Sequence, residues 1–223
     1  MTDSVLVIAA HPDDEALGCA GTMAKHIDEG DTVNVAFMTN GTDARDNGGP
    51  AAQRRQEAAR AACDVIGVSE IEQFAFPDNA MDSVPLLDIN KAVETVINKF
   101  QPSIIYTHFG ADLNIDHRIT NQATITAVRP VRGSTVRAIY AFEVLSSTEW
   151  QSVTSTAFQP NYIVDITPFL DTKLKSLSCY GEELREHPHS RSLETVASLA
   201  KLRGGTHGFY AAEAFVVERI LNP

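Results

Sequence analysis

Short apolar runs alternate with segments of helical periodicity along the first half of the chain. Residues 5–10 form a continuous apolar run, the pattern of a central strand that is covered on both faces. Residues 15–29 follow with apolar side chains at helical spacing. The same two patterns recur as predicted strands at 32–38, 71–76 and 103–107, and as predicted helices at 51–66, from Pro85 up to Pro102, and at 118–128.

This alternation predicts an α/β fold. Because parallel strands joined through a helix almost always connect with a right-handed crossover, we expect a Rossmann-like, doubly wound, mostly parallel sheet with helices on both faces. The last third is less regular, with strands expected at 136–144 and 162–166 and helices at 168–183 and 192–202. Since no repeat or linker interrupts the pattern, we expect residues 1–223 to form a single domain with an irregular C-terminal cover.

Composition and charge narrow the class of protein. The chain has 223 residues, of which 43% are hydrophobic and 21% charged, as in ordinary globular proteins. Its net charge of -11 disfavours nucleic acid and anionic membrane surfaces as partners. The first apolar run is too short for a signal peptide, and no stretch approaches a membrane span. Cys19, Cys63 and Cys179 lack CxxC spacing, so we expect three buried thiols and a cytoplasmic protein.

The first predicted strand does not lead into a glycine-rich loop. It leads instead into His11-Pro12-Asp13-Asp14-Glu15, which has neither the dinucleotide-binding nor the phosphate-binding pattern. Capping of the next helix by one aspartate is the simpler interpretation. It leaves the histidine at the strand tip and the run of three acids unexplained. Ligands of open α/β sheets bind beyond the carboxyl ends of the strands, so we favour a functional role for His11, Asp13 and Asp14.

A second polar cluster follows the fourth predicted strand. Its members are His108, Asp112, Asn114, Asp116 and His117. Alone, the cluster slightly favours a solvated acidic loop with two incidental histidines. If the strand order is 3-2-1-4, however, it faces His11 and Asp14 across a crevice.

Two histidines and one carboxylate form a common ligand set for catalytic zinc, and the same set suits iron(II). A carboxylate often holds the second ring nitrogen of a ligand histidine, and Asp112 and Asp116 are the candidates for this task. A further acid near the metal is a candidate general base.

The HPDDE segment at 11–15 together with Asp116-His117 resembles the LmbE/PIG-L family of zinc-dependent N-deacetylases. Members act on N-acetylglucosamine-type groups within larger conjugates, have a Rossmann-like fold and often form homo-oligomers. The resemblance extends over nearly the whole chain and includes segments 54–57, 76–79, 187–192, 203–205 and 212–215.

This resemblance implies a zinc ion on His11, Asp14 and His117. It implies that Asp13 is the general base, and that the Arg-x-x-Glu pattern of Arg54 and Glu57 lies near the sugar. An exposed ion pair three residues apart on a helix is the alternative interpretation of that pattern.

One position departs from the family pattern. Many members carry a histidine three residues before the last zinc ligand, where this chain has Asn114. An amide donates a hydrogen bond to an oxyanion but delivers no proton. His108, at the end of the fourth predicted strand, is the alternative candidate for this contact with the substrate carbonyl. Trp150 is a candidate wall for a sugar pocket, because aromatic faces suit sugar rings, and core packing is the simpler interpretation of Phe142.

The expected function is therefore the zinc-dependent removal of an acetyl group from an N-acetylglucosamine-type conjugate, a small-molecule substrate. An amidase for another acyl group would use the same chemistry. A sugar- or nucleotide-binding module with a structural metal, and an iron(II) oxygenase, remain as alternatives of other classes.

Overall fold

A seven-stranded sheet forms the centre of the molecule in the computed structural model, which describes residues 2–41 and 50–222. The strands are β1 (Ser4–Ala9), β2 (Thr32–Thr39), β3 (Glu70–Phe76), β4 (Ile104–His108), β5 (Ala138–Phe142), β6 (Tyr162–Asp165) and β7 (Ala212–Ile220). The helices of more than one turn are α1 (Asp14–Asp28), α2 (Pro50–Ile66), α3 (Leu86–Phe100), α4 (Ile115–Ala127), α5 (Leu170–Ser178) and α6 (Leu193–Gly205).

The strand order is β3-β2-β1-β4-β5-β7-β6. Strands β1 to β5 pair in parallel, while β7 runs antiparallel to both of its neighbours, β5 and β6. The predicted Rossmann-like, mostly parallel α/β sheet is thus confirmed, as is the order 3-2-1-4. Strand β1 lies between β2 and β4, with Ile8 opposite Thr107. The carboxyl ends of β1 and β4 are consequently neighbours, and the site lies there.

Strand β1 is buried because its two faces enter two different cores. Val5, Val7 and Ala9 pack with residues of α1 and α2, whereas Leu6 and Ile8 pack with residues of α3 and α4. All five side chains are fully buried, as the continuous apolar run predicts for a strand covered on both faces.

Helix α1 is interrupted at Cys19, whose backbone has left the helical region. The interruption frees backbone groups, and a buried ion pair satisfies them. Lys173 donates to the carbonyls of Ala16 and Leu17 at 3.0 and 2.7 Å. Glu213 accepts from the backbone N–H groups of Gly21 and Thr22 at 3.0 and 2.7 Å. Lys173 and Glu213 also contact each other at 2.6 Å, so α5 and β7 together hold the two halves of α1.

The short first half of α1 lies close to the sheet. A side-chain carbon at Gly18 would come within 2.4 Å of the Phe142 ring, which itself is fully buried in the core. Only glycine permits this approach, so the sequence at Gly18 helps to place Asp14 against the tips of β1 and β4.

Three local predictions are corrected by the structure. Strand β7 was not predicted as a strand, although it is an apolar and β-rich segment. Helix α4 begins at Ile115 rather than 118, so Asp116 and His117 lie on a first helical turn and not in a loop. Cys179 is only partly buried, unlike Cys19 and Cys63, and all three thiols are free. Within the described ranges, none of the helices is long and apolar enough to cross a membrane.

Candidate metal centre

The site is built where the chain leaves β1 and enters α1. Pro12 and Asp13 form this turn, and Asp13 has a φ of 118°, a conformation that residues with side chains rarely adopt. The strained turn lets the Asp14 carboxylate fold back and accept a hydrogen bond from the His11 N–H at 2.8 Å. Both side chains thereby point towards the first turn of α4, which carries His117.

His11, Asp14 and His117 converge on one point. The Oδ2 atom of Asp14 lies 3.2 Å from His11 Nδ1 and 3.3 Å from His117 Nε2. One donor atom from each of the three residues lies within 4.8 Å of the other two, a spacing at which they could hold a metal ion. The three residues that the family resemblance implies as ligands are therefore together and buried.

The donor set fits a divalent metal on two further grounds. His117 Nε2 and Asp14 Oδ1 are buried without a hydrogen-bond partner, although buried polar atoms are normally paired. Burial lowers the pKa of His117, but the carboxylates of Asp14 and Asp112 raise it to about 9. Burial raises the pKa of Asp14, yet His117 and His108 hold it well below its usual range. An ionised carboxylate between two imidazoles is the charge arrangement that suits zinc or iron(II).

Each ligand histidine has a carboxylate at its second ring nitrogen. His117 Nδ1 lies 3.1 Å from Asp112 Oδ1, and His11 Nε2 lies 3.1 Å from Asp116 Oδ2. Both carboxylates were predicted for this position, and such partners orient a ligand ring and fix its tautomer.

The two carboxylates are themselves firmly held. Asp112 accepts hydrogen bonds from the hydroxyls of Ser147 and Thr148, the latter at 2.5 Å. Asp116 accepts from the backbone N–H groups of Asn79 and Met81 at 2.7 and 3.0 Å. Burial alone would raise the pKa of Asp112, but His117 first, and then the hydroxyls of Ser147 and Thr148, lower it to about 2.

Asp78 is a neighbour of His11 that the sequence analysis did not single out as a site residue. Its Oδ1 lies 3.1 Å from His11 Nε2, so His11, Asp78 and Asp116 form a second group with metal-ligand spacing. The backbone bonds to Asp116 and the 3.1 Å bond from Asn79 Nδ2 to Asp78 show that both carboxylates already accept hydrogen bonds. The first group, with its unpartnered donor atoms, is the better metal site.

Asp13 lies beside this group with 1% of its surface exposed. Its Oδ2 contacts two guanidinium groups, Arg191 Nη1 at 2.8 Å and Arg55 Nη2 at 3.2 Å, whereas its Oδ1 is buried without a partner. Burial raises the pKa of Asp13, the two arginines lower it, and the net direction is upward. A carboxylate with one held and one unpartnered oxygen can take up a proton, as the predicted general base must.

Arg55 and Arg191 are site residues that the sequence analysis missed. Glu183 pairs with the Arg55 guanidinium and lies 3.6 Å from that of Arg191, so it links the two. Helical periodicity contained a signal for Arg55, because it shares one buried stripe of α2 with Ala59, Ala62, Cys63 and Ile66.

Arg54 and Glu57 pair with residues outside the metal-ligand group. Arg54 Nε contacts Glu182 at 2.8 Å, and Glu57 accepts a hydrogen bond from Gln53 at 2.9 Å. The two residues are therefore paired with other partners and not, as the alternative interpretation had it, with each other. Both residues instead line a cavity of about 460 Å³, whose wall also includes Arg55 and Glu183. The predicted role near a sugar thus depends on substrate reaching this adjoining cavity.

Asn114 has a structural task in addition to its predicted catalytic one. It caps α4, because its Oδ1 accepts from the Asp116 N–H at 2.8 Å. Its Nδ2 donates to Asn79 Oδ1 at 3.0 Å, and an amide nitrogen carries a second hydrogen.

His108 contacts the metal-ligand group from the core, because its Nε2 lies 3.4 Å from Asp14 Oδ2. It is fully buried behind His117, with the two rings stacked at 3.9 Å, and its Nε2 accepts from the Ala10 N–H at 2.8 Å. Burial and the neighbouring His117 lower the pKa of His108 well below its usual value. This geometry does not support the predicted substrate contact, and it gives His108 a packing role.

Comparison with known proteins adds independent information. Residues 6–128 match the family PIG-L, described as GlcNAc-PI de-N-acetylase. Diacetylchitobiose deacetylase of Thermococcus kodakarensis is 27% identical over 193 residues, which cover 82% of this chain and 70% of the relative. A probable N-acetyl-alpha-D-glucosaminyl L-malate deacetylase 2 of Bacillus cereus is 24% identical over 202 residues, covering 86% and 90% of the two chains.

A solved structure shares the fold over the whole length of this chain. The 4-carboxy-2-hydroxymuconate hydratase GalB of Pseudomonas putida superposes with a TM-score of 0.78 at 22% identity, covering 100% of this chain and 99% of the other. At this identity the likeness establishes the shared fold only. The activity must therefore be argued from the site itself.

Proposed function

The chain belongs to the PIG-L family of de-N-acetylases, and from this premise we propose that it is a zinc-dependent hydrolase. Its substrate would be an N-acetylglucosamine-type sugar conjugate, from which it removes the N-acetyl group. The observation that carries the proposal is the convergence of His11, Asp14 and His117, with unpartnered donor atoms, beside the buried carboxylate of Asp13.

The proposed ligands are His11, Asp14 and His117. Zinc at this position would supply a Lewis acid that polarises the acetyl carbonyl and lowers the pKa of a bound water. Two imidazoles and one carboxylate leave a coordination position for substrate or water, as catalytic sites require. Iron(II) has the same ligand preference, so the identity of the metal belongs to the proposal.

We assign the proton transfers to Asp13. Its unpartnered Oδ1 accepts the proton of the attacking water, while Arg55 and Arg191 hold Oδ2. The same oxygen then returns the proton to the departing amine, so that the products are acetate and an amino sugar.

We assign to Asn114 the stabilisation of the oxyanion that develops from the acetyl carbonyl. One Nδ2 hydrogen is engaged by Asn79, and the second is the proposed donor. Arg54 and Glu57 are proposed to contact the conjugate in the adjoining cavity. We further propose that residues 1–223 act as one domain, that the protein is cytoplasmic, and that it forms homo-oligomers.

Two experiments test the function together. The metal content of the purified protein would be measured, and acetate release would be followed on a panel of N-acetylglucosamine conjugates and differently acylated amino sugars. About one zinc per chain, with hydrolysis of N-acetyl substrates only, is the expected result. Preference for another acyl group would favour an amidase, and tight sugar binding without turnover would favour a binding module.

A further inference from the structure

Trp150 lies on a loop that reaches the metal-ligand group through hydrogen bonds. Ser147 and Thr148 donate their hydroxyls to Asp112, the carboxylate that contacts His117. Trp150 follows in the same short helical turn, and its backbone N–H donates to the carbonyl of Ser147 at 3.2 Å. The backbone at Trp150 is therefore placed by the same turn that orients a proposed ligand.

A second segment meets this loop from the other side. Arg191 donates from Nε to the Ser146 hydroxyl at 2.6 Å and from Nη1 to Asp13 at 2.8 Å. Ser146 has a φ of 69°, a strained conformation of the kind found at functional sites. The His189 ring, two residues before Arg191, packs against the Trp150 ring at 5.7 Å and a right-angled orientation of 80°. Trp150 thus lies between the loop that holds Asp112, the partner of His117, and the segment that carries Arg191, the partner of Asp13.

The indole is nevertheless 52% exposed. An aromatic ring that contacts a neighbouring ring on one side and is open to solvent on the other offers an apolar face to a ligand. The loop around it is polar, since Glu149 accepts from the backbone N–H groups of Ser146 and Ser147.

His189 adds a hydrogen-bond donor beside the indole. Its Nδ1 accepts from the Arg191 N–H at 3.0 Å, so the proton of the neutral ring is on Nε2. An exposed aromatic face next to a fixed N–H donor matches the two surfaces of a sugar ring, which offers apolar C–H groups on its faces and hydroxyls at its edge.

We propose that Trp150, with His189, forms a subsite for the ring that follows the N-acetylated sugar in the conjugate. This inference rests on the proposed function and makes Trp150 a specificity-determining residue rather than a catalytic one. It requires a substrate that extends beyond one ring in order to use the contact.

Kinetics on two probes test the subsite. N-Acetylglucosamine has one ring and N,N'-diacetylchitobiose has two, and acetate release would be measured for both. We expect Trp150→Ala to raise the KM for the two-ring probe on the order of tenfold, the loss of one aromatic contact, without lowering kcat. The KM for the one-ring probe should change by less than about twofold, and Trp150→Phe should restore most of the difference. Tyr210→Ala, at an exposed aromatic residue that contacts Lys201, is the matched control and should leave both probes unchanged.

Fluorescence gives a readout independent of turnover. Trp150 is the single tryptophan of the chain, so its emission reports this position alone. In an Asp13→Asn background, in which hydrolysis is expected to be slow, the two-ring probe should shift or quench the emission, and the one-ring probe should not. Emission that does not respond to the two-ring probe would overturn the proposal.

The outcomes separate the subsite from the function. A wild-type protein that deacetylates both probes, with a Trp150→Ala variant that changes both KM values equally or neither, overturns the subsite alone. A wild-type protein that releases acetate from neither probe, nor from any other N-acetylglucosamine conjugate of the panel, overturns the proposed function, and the subsite with it.

Discussion

Arg191 Nη1 donates a hydrogen bond to Asp13 Oδ2 across 2.8 Å, although the two residues lie 178 positions apart in the chain. This contact joins the segment before α6 to the turn after β1. Since the guanidinium lowers the pKa of Asp13 against the upward effect of burial, Arg191 both places the carboxylate and keeps it available as a base. Arg191 is thus a positioning residue for the proposed general base.

Replacing Arg191 tests this relationship. Arg191→Gln removes a positive charge, so the pKa of Asp13 rises further and the acidic limb of the kcat/KM profile moves to higher pH. We expect a loss of roughly 10²-fold in kcat at neutral pH, the scale of a misplaced catalytic group, with the metal retained. Arg191→Lys should keep part of the activity because it keeps the charge.

Arg185 provides the control for this prediction. It lies in the same connection, but its guanidinium donates to the backbone carbonyls of Glu182 and Leu184 and not to Asp13, so Arg185→Gln should leave the pH profile unchanged. A displaced profile in this variant, or an unchanged profile in Arg191→Gln, would contradict the assignment.

Adjacent aspartates should behave differently. Asp13→Asn should retain the metal and lose at least ~10²-fold in kcat, as the removal of a general base does. Asp14→Asn should instead lose metal first, because Asp14 Oδ2 lies between His11 and His117. Metal analysis of both variants beside their kcat values separates the roles, and exchanged behaviour would require the roles to be exchanged.

Metal binding should weaken as the pH falls. The pKa of His117 is raised to about 9, so at neutral pH a metal must displace its proton, and the affinity falls below that pH. We expect chelator-competition titrations to show zinc affinity falling by up to about tenfold per pH unit for each proton displaced.

Asp112→Asn sharpens this test. Asp112 is one of the carboxylates that raise the pKa of His117. Its replacement should therefore lower the number of protons that zinc displaces by about one, and should weaken zinc affinity roughly 10–100-fold. Asp88→Asn, an exposed acid near Lys91, should change neither quantity. An unaltered slope in Asp112→Asn would rule out the role of Asp112.

The metal-ligand group was predictable because its signals are local. His11 and Asp14 are three residues apart, and apolar runs predict the strands. The order 3-2-1-4, which brings His117 opposite them, was a condition of the prediction, and the choice of these three ligands came from the family resemblance. The carboxyl ends of adjacent parallel strands meet by geometry, so no side-chain detail was needed.

The partners of Asp13 were less accessible to sequence reasoning. Which of Arg54 and Arg55 contacts Asp13 depends on the rotation of α2, and the Arg-x-x-Glu pattern drew attention to Arg54 whereas Arg55 makes the contact. The contact of Arg191 depends on how the last third folds over the sheet, where no periodic pattern specifies the distance. The interruption of α1 at Cys19 was hidden for the same reason, because Lys173 and Glu213 are far away in the sequence.

The buried pair of Lys173 and Glu213 should dominate the stability of α1. Lys173→Met leaves Glu213 as an unpaired buried charge, which typically costs about 3–5 kcal/mol. Lys173→Met combined with Glu213→Gln should cost less, because the neutral amide still offers an acceptor to Gly21 or Thr22.

Urea unfolding would measure these free energies. Lys175→Met, an exposed lysine of the same helix, should change the stability by no more than about 0.5 kcal/mol. A double variant that is less stable than Lys173→Met would show that the charge of Glu213 is not the source of the cost.

Asn114 has two functions to separate, the cap of α4 and the proposed oxyanion contact. Asn114→Ser keeps a capping oxygen but removes the amide donor, whereas Asn114→Ala removes both. If the amide faces the developing oxyanion, both variants should lose on the order of 10²–10³-fold in kcat. Only Asn114→Ala should also lose stability, by about 1 kcal/mol, because it alone leaves the Asp116 N–H without its acceptor.

The comparison with His108→Ala decides between the two candidates for this contact. His108 is buried behind His117, so its removal should lower stability and loosen the metal site rather than change kcat at full metal occupancy. If Asn114→Ser keeps normal kcat while Asn114→Ala loses only stability, then Asn114 is a helix cap alone. In that case the carbonyl is polarised by the metal without help from this residue, and the basic limb of the pH–rate profile should be the same in both Asn114 variants and in the wild-type protein.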